Sequence, residues 1–237
     1  MVLVIIQARM LSTRLPGKVM REVAGQPLIG HLLDRLALSK KADQIVVATS
    51  EDASNDVLCD YVRTKGIEIF RGNEEDVLSR YYQAALNYKP QTIVRITADC
   101  PLMDPVVVDG VIEYFQTNEF DYVSNIFPRT YPDGMDVEVF SFDALTTTYN
   151  DAQSPEQREH VTIYMRESGI FKVGCLISDQ DHSRDRITVD YEDDIIVVEN
   201  IFDRIGRDGK YFSMNDILRF KTENPEVFER NAHLVVK

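Results

Sequence analysis

The architecture of this chain follows from residues 1–10, which read MVLVIIQARM. Residues 2–6 are consecutive apolar residues rich in β-branched side chains, which is typical of a buried strand. No basic segment precedes this run and no small-residue cleavage site follows it, so we expect a first strand and not a signal peptide. A continuous apolar run is expected where helices cover both faces of a parallel sheet.

Similar apolar runs recur along the chain and alternate with amphipathic helical patterns. The predicted strands cover residues 2–8, 44–49, 67–70, 92–97, 122–125, 136–140, 171–177 and 186–189. The predicted helices cover residues 27–38, 54–65, 76–88, 105–117, 155–167, 192–205 and 214–222. This alternation predicts a three-layer α/β/α architecture, most simply as a single domain over residues 1–237. Ligands of such sheets bind beyond the carboxyl ends of the strands, so the loops that follow strands are the candidate sites.

The charge of the chain is acidic and unevenly distributed. Its 237 residues include 26 Lys and Arg against 39 Asp and Glu, a formal net charge of −13. We therefore expect neither a binder of polymeric nucleic acid nor a polybasic membrane anchor. The first 30 residues nevertheless contain only one acid, Glu22, and four cations. These cations are Arg9, Arg14, Lys18 and Arg21.

Two observations bear on the compartment. No apolar run approaches the ~18 residues that a transmembrane helix needs, so no membrane span is expected. Cys59, Cys100 and Cys175 are odd in number and far apart, which argues against a disulfide framework. That pattern is typical of a reduced, cytoplasmic protein.

A phosphate-binding loop is predicted directly after the first strand, over residues 7–18 (QARMLSTRLPGK). The loop supplies three cations, two hydroxyls and a glycine, with no acid among them. A bound triphosphate needs positive charge, hydrogen-bond donors and a backbone that can approach closely. The loop is not a Walker A motif, because Val19 follows Gly17-Lys18, and the fingerprint G-x-G-x-x-G is absent. The alternative interpretation is a solvated surface loop.

Two aspartates stand at the ends of predicted strands. Asp99 ends the stretch RITAD, and Asp190 ends the stretch RITVD just before a helix. Mg²⁺ typically takes one or two carboxylates and keeps phosphate and water oxygens at its other positions, so both aspartates are candidate metal ligands. Asp190 could instead cap the following helix, and Asp104 is interpreted only as a cap.

These motifs carry a family resemblance. Residues 7–20, QARMLSTRLPGKVM, resemble the nucleotide-binding loop of sugar cytidylyltransferases, above all CMP-Kdo synthetases and SpsF-type spore coat polysaccharide proteins, with CMP-acylneuraminate synthetases more divergent. Asp99-Cys-Pro-Leu and Asp190-Tyr-Glu-Asp-Asp are similar to two further motifs of the family, in order and rough spacing. The resemblance implies a nucleotide-diphospho-sugar transferase-like, Rossmann-like fold with a mostly parallel mixed sheet. It implies that residues 1–125 mainly bind nucleotide and that residues 126–237 mainly bind the acceptor and supply the second metal aspartate.

The resemblance also implies a reaction, in which CTP and a sugar give a CMP-sugar and pyrophosphate. The sugar is expected to be an acidic one for a surface polysaccharide. Asp99 and Asp190 are the implied ligands of a Mg²⁺ cofactor, Lys18 and Arg14 are the implied catalytic cations, and a homodimer is expected. Thr97 departs from the Gln of CMP-Kdo synthetases, which leaves the selection of the base open. The implied nucleotide-binding residues are Gln7, Ala8, Arg9, Ser12, Thr13, Arg14, Gly17, Lys18, Thr97 and Asp99.

A second segment, residues 72–81, is similar to one that recurs near the nucleotide pocket of SpsF-type proteins. This implies nucleotide contacts for Arg71, Asp76 and Arg80. A tight turn at Gly72 and a helix cap at Asp76 would explain the segment equally well.

The acceptor site has four weaker candidates. Asp136 and Glu138 fall on one face of an alternating strand, where they would bind sugar hydroxyls or simply form a solvated face. Arg158 and His160 lie in a segment that resembles the Arg-Glu-His-Val-Thr segment of SpsF-type proteins. They are candidates to bind an acceptor carboxylate or phosphate, with a purely structural histidine as the alternative.

Two other classes of function stay open on the sequence. A nucleotidyltransferase of the same fold would use another NTP, a phosphonate or another acceptor. A glycosyltransferase-like or non-catalytic nucleotide-binding module would also share the fold. Many such modules carry an Asp-x-Asp metal motif after the central strand, and Pro101 stands at the third position of that motif here, which disfavours this class.

Overall fold

The strands form a seven-stranded mixed sheet and a separate two-stranded ribbon within the part of the chain that the computed structural model describes, residues 1–235. The strands are β1 (Val2–Gln7), β2 (Glu22–Val23), β3 (Gln26–Pro27), β4 (Gln44–Ser50), β5 (Glu68–Gly72), β6 (Thr92–Thr97), β7 (Tyr122–Ser124), β8 (Glu138–Ser141) and β9 (Val173–Cys175). The sheet order is β5-β4-β1-β6-β8-β7-β9. Strand β8 is antiparallel to β6 and β7, and the other neighbours are parallel.

Helices cover both faces of this sheet. They are α1 (Leu28–Leu36), α2 (Asp56–Thr64), α3 (Val77–Tyr88), α4 (Pro105–Thr117), α5 (Phe142–Asp151), α6 (Pro155–Glu159), α7 (Ile163–Glu167), α8 (Glu192–Ile205), α9 (Met214–Glu223) and α10 (Pro225–Glu229). No helix of the described residues has the length and apolar character needed to cross a membrane.

Strand β1 shows why three layers form. Val4 and Ile6 pack with side chains of α1 and α4, whereas Leu3 and Ile5 pack with side chains of α3 and α5 on the opposite face. All four are fully buried. Each contributes about 1.5–3 kcal/mol by burial, so the apolar run stabilises both layers at once. The predicted three-layer architecture and the mostly parallel mixed sheet are confirmed.

One predicted strand is wrong. Residues 186–189 are not part of the sheet, although Arg186 forms an isolated parallel bridge with Asp133. The segment crosses the carboxyl ends of the sheet strands instead, and Ile187 and Val189 are buried there. Their alternation therefore reflects packing of an extended segment against the sheet edge and not membership of a ladder.

The predicted helix over residues 155–167 is divided into α6 and α7. Val161 stands between them with φ of 57°, and this left-handed conformation cannot continue a right-handed helix. Helix α6 begins at a capping box formed by Ser154 and Gln157. The sequence predicted neither α5 nor the short helix α10.

Candidate active site

The loop after β1 and the turn after β6 leave the sheet side by side. The two strands are parallel neighbours, and their last residues, Gln7 and Thr97, are in register. Gly17, with φ of 72°, turns the loop back, and its N–H donates to the carbonyl of Met10 at 2.8 Å. This left-handed backbone conformation favours glycine, which has no Cβ. The turn directs Lys18 into the space beyond the strand ends, where it is buried.

Lys18 lies at the centre of the site. Its Nζ donates to Asp99 Oδ2 at 3.1 Å, to Asp190 Oδ1 at 2.9 Å and to the carbonyl of Val189 at 2.8 Å. Asp99 and Asp190, which are far apart in the sequence, therefore share one ammonium group. The juxtaposition that the family motifs implied is present.

The segment that crosses the strand ends brings Asp190 to this position. Val189 N–H donates to the carbonyl of Asp99 at 2.8 Å, and Ile187 N–H donates to the carbonyl of Asp133 at 2.8 Å. The crossing requires a glycine at residue 134, because a Cβ there would lie 2.6 Å from the backbone nitrogen of Thr188. The backbone at Gly134 thus contacts the backbone of the crossing segment close to Asp190.

Asp190 also faces two guanidinium groups. Arg14 Nη2 donates to Asp190 Oδ1 at 2.7 Å, and Arg186 Nη2 donates to Asp190 Oδ2 at 3.3 Å. The Arg14 side chain is 53% exposed and its guanidinium lies over the ring of Tyr191. Arg14 is therefore free to turn toward an incoming anion, whereas Arg186 is enclosed.

The ion pairs fix the charge states of the central groups. Burial by itself lowers the pKa of Lys18, but the carboxylates of Asp99 and Asp190 outweigh it, so the pKa lies above its ordinary value. Burial raises the pKa of Asp99, but the Lys18 ammonium and a hydrogen bond from the Thr97 hydroxyl outweigh it, so the pKa is lowered. At neutral pH Lys18 is a cation and Asp99 an anion.

The donor set fits a magnesium ion that also binds phosphate. Within residues 1–235 there is no cluster of three or more His, Cys, Asp or Glu that would hold a metal. Two carboxylates converge on one cation, the ammonium of Lys18. Mg²⁺ sites in phosphate-binding proteins commonly use one or two carboxylates together with phosphate and water oxygens.

The remaining loop candidates surround this centre. Gln7 accepts a hydrogen bond from Arg95 Nη2 at 3.2 Å, and Ala8 is buried with its N–H bonded to β4. Arg9 pairs with Glu74 at 3.1 Å. Ser12 is half-buried and Thr13 is exposed, so the two hydroxyls lie on the outer part of the loop.

The second nucleotide segment lies beyond β5 and is engaged with other partners. Arg71 donates to Asp56 and to backbone carbonyls around residue 51, and Asp76 caps α3 by accepting from Ser79 N–H at 2.8 Å. Arg80 is fully buried and donates to the carbonyl of Asn73 at 2.8 Å. Asp76 is thus a helix cap, as the alternative interpretation expected. A nucleotide contact of Arg71, Asp76 or Arg80 stays a prediction.

The acceptor candidates separate into different environments. Glu138 is 3% exposed, pairs with Arg95, and accepts hydrogen bonds from Tyr122 at 2.7 Å and Thr162 at 2.6 Å. It is an interior group and cannot bind sugar hydroxyls, which corrects that prediction. Asp136 precedes the strand and accepts from Arg129 Nη2 at 2.7 Å, in a partly open position.

Arg158 and His160 also differ from each other. Arg158 Nε pairs with Asp76 at 2.8 Å, which links α6 to the start of α3. His160 ends α6 and is exposed. A contact of either residue with an acceptor stays a prediction.

The sequence reasoning missed two residues of the site. Arg186 and Asp194 form a buried ion pair behind Asp190, with Arg186 Nη2 2.8 Å from Asp194 Oδ2. The only sequence signal was the four-residue spacing of the charged residues 186, 190 and 194. This spacing brings charges together on a helix, but α8 begins only at Glu192, so it did not predict the ion pair.

A pH dependence of stability follows from Asp194. Burial raises the pKa of its carboxyl, but Arg186, the backbone N–H of Asp190 and Asn231 outweigh it, so the pKa lies below its ordinary value. The native carboxyl then binds protons less readily than the unfolded one, so the free energy of unfolding should fall as the pH drops from about 5 toward 2. Urea unfolding at several pH values measures this. Asp194→Asn should show a smaller slope in this range, and an unchanged slope would contradict the assignment.

The comparisons with known proteins agree with this geometry. The sequence model of the family described as cytidylyltransferase matches residues 3–205, so the chain belongs to the cytidylyltransferase family and is a nucleotidyltransferase by class. It is 36% identical to the uncharacterized protein MJ1063 of Methanocaldococcus jannaschii, over 97% of this chain and 94% of that protein. It is 31% identical to the spore coat polysaccharide biosynthesis protein SpsF of Bacillus subtilis, over 98% of each.

One further relative and one solved structure are also similar to this chain. A 3-deoxy-manno-octulosonate cytidylyltransferase of Geobacter sulfurreducens is 33% identical over 46% of this chain and 42% of its own length. The solved structure of a cytidylyltransferase from Leptospira borgpetersenii is 32% identical and superposes with a TM-score of 0.91 over 96% of each chain. The implied family and fold are both confirmed.

Proposed function

We propose that this protein transfers CMP from CTP to a sugar and releases pyrophosphate. The observation that carries the proposal is the ammonium of Lys18, shared by Asp99 and Asp190 at the carboxyl edge of the sheet. The full-length similarity to SpsF and the partial similarity to a 3-deoxy-manno-octulosonate cytidylyltransferase support CTP and a sugar as substrates.

The residues act by position and charge. An acceptor hydroxyl oxygen attacks the α-phosphorus of CTP in line, and the bond from that phosphorus to the bridging oxygen breaks to release pyrophosphate. The hydroxyl proton passes to solvent water. Negative charge grows on the α-phosphate and the departing pyrophosphate, which is where fixed cations lower the barrier most. Lys18 and Arg14 supply these cations from the loop after β1, and no covalent nucleophile is needed.

The proposal includes Mg²⁺ as the cofactor. Asp99 and Asp190 would hold it once the phosphates attract Lys18 and Arg14 away from the carboxylates. When bound, such an ion stabilises charge on phosphate oxygens and lowers the pKa of a coordinated hydroxyl.

The proposal also covers the acceptor, the oligomeric state and the location of the protein in the cell. We propose an acidic sugar for a surface polysaccharide, bound on the side of the site where Asp136 and Arg129 lie. A homodimer is proposed from the family resemblance. A cytoplasmic location is supported by the three cysteines, none of which forms a disulfide in the described chain.

A pyrophosphate-release assay tests the proposal. Each of the four NTPs is incubated with Mg²⁺ and a panel of 3-deoxy keto acid sugars, nonulosonates, amino sugars and a phosphonate. CTP with an acidic sugar should give the highest rate, because the family is that of cytidylyltransferases and one relative acts on 3-deoxy-manno-octulosonate. The loop cations by themselves would serve any triphosphate.

The other outcomes are equally informative. Turnover with a different NTP or only with the phosphonate would replace the substrate while keeping nucleotidyl transfer. Binding of CTP with no turnover across the panel would favour a nucleotide-binding module and reject the proposal.

A further inference from the structure

The carboxylate of Asp190 rests on a buried ionic network that the reaction does not touch. The Arg186 guanidinium, 5% exposed, donates through Nη2 to Asp190 and through Nε and Nη2 to Asp194 at 2.9 and 2.8 Å. Its Nη1 donates to Asp133 Oδ2 at 2.8 Å. Arg186 is therefore held on three sides and cannot follow a ligand.

Asp194 fixes the backbone that carries Asp190. Its side chain is fully buried, and its Oδ2 accepts from the N–H groups of Asp190 at 2.9 Å and Tyr191 at 3.0 Å. These bonds set the chain direction at the start of α8. The direction of the Asp190 side chain toward Lys18 depends on that backbone position.

Asn231 completes the network from the far end of the chain. It is 2% exposed, and its Nδ2 donates to Asp194 Oδ1 at 2.9 Å and to the carbonyl of Arg186 at 3.3 Å. Asn231 follows α10 and lies outside residues 3–205, the part that matches the cytidylyltransferase family. The C-terminal segment, residues 225–235, thus reaches the residue directly behind the site.

We infer that Asn231 is a positioning residue, which acts through Asp194 and Arg186 to aim the Asp190 carboxylate at a bound divalent cation. The inference rests on the proposed function, because it takes Asp190 as a metal ligand. Partners that orient metal ligands typically change metal affinity about 10- to 100-fold when removed. A helix-capping contact alone would change stability and leave metal affinity unaltered.

The test measures Mn²⁺ binding by electron paramagnetic resonance in the presence of non-hydrolysable α,β-methylene CTP. The proteins are wild type, Asn231→Ala, Asp190→Asn and the matched control Asn224→Ala. Asn224 lies in the same part of the chain and donates to the carbonyl of Phe220, with no contact to Asp194. Asn231→Ala should weaken Mn²⁺ binding about tenfold, and Asn224→Ala should leave it unchanged.

A kinetic arm separates positioning from loss of fold. In Asn231→Ala, the Mg²⁺ concentration for half-maximal rate should rise about tenfold, and kcat should recover at saturating Mg²⁺. If Asn231→Ala and Asn224→Ala bind Mn²⁺ equally well while Asp190→Asn binds it more weakly, the positioning role of Asn231 is wrong. The proposed function is unaffected by that outcome. Unchanged Mn²⁺ binding in Asp190→Asn would instead reject Asp190 as a metal ligand, and with it this part of the proposed function.

Discussion

Replacing Lys18 by methionine should lower kcat/KM for nucleotidyl transfer at least about 100-fold while the protein stays folded. The Nζ of Lys18 lies within 3.1 Å of carboxylate oxygens of both Asp99 and Asp190, where we propose that the phosphates bind. Methionine keeps a flexible apolar side chain, one atom shorter, and removes the ammonium group with its charge and its three hydrogen bonds. Steady-state kinetics with CTP and the best acceptor of the panel measures the effect.

The control for this substitution is Lys65→Met. Lys65 also forms an ion pair, with Asp34 at 2.8 Å, but Asp34 lies in α1 and Lys65 directly follows α2, away from the loop after β1. Its kcat/KM should stay within about twofold of wild type, as for most surface substitutions. A Lys18→Met protein that matches the Lys65→Met protein in rate would remove Lys18 from the mechanism.

Replacing Glu138 by leucine should lower the free energy of unfolding by about 3–5 kcal/mol. Glu138 and Arg95 stand opposite each other in the register of β6 and β8, and Glu138 is almost completely buried. Without the carboxylate, the Arg95 guanidinium keeps a charge in the interior, and its Nε already has no hydrogen-bond partner. Tyr122 and Thr162 would also lose their acceptor. Equilibrium urea unfolding measures the change.

Two further variants separate the charge from the packing at this position. Tyr122→Phe removes one hydrogen bond to Glu138 and should cost about 1 kcal/mol. A protein with both Arg95→Met and Glu138→Leu should regain most of the loss, because replacing a whole buried pair by apolar groups is often neutral. A double variant as unstable as Glu138→Leu would show that the unpaired charge is not the cause.

The parts of the fold that the sequence predicts best are those with strong local signals. Strand β6 and helices α4 and α8 have the predicted bounds. Helix α4 begins where Asp104 caps it at the N–H of Val106, with Pro105 in the first turn. Such caps and apolar runs act over a few residues, so they are visible without knowledge of the tertiary structure.

The parts that sequence reasoning missed depend on distant contacts. Helix α5 contains three consecutive threonines, Thr146 to Thr148, which have weak helix propensity, and it forms because Ala144 and Leu145 pack on the sheet. The break at Val161 is set by tertiary contacts, since Thr162 bonds to Glu138 in the sheet. No local sequence pattern predicts helix α5 or the break at Val161.

The candidate site divides in the same way. Lys18, Asp99 and Asp190 were predicted because they follow apolar runs and match motifs of sugar cytidylyltransferases, and the structure brings them together. Glu138 was misassigned because alternation shows that a residue lies on one face of a strand but does not show what covers that face. Only the packing of α7 and the neighbouring strands reveals that its carboxylate is internal.

The shared ammonium of Lys18 has a consequence for the protein without ligand. Arg14, Lys18 and Arg186 face the carboxylates of Asp99, Asp133, Asp190 and Asp194, so each cation already has a carboxylate partner within the protein itself. The site supplies its own counter-ions, and this edge of the molecule can fold before any nucleotide arrives. Binding a triphosphate is then an exchange of partners among charges that are already in place, not the burial of new ones.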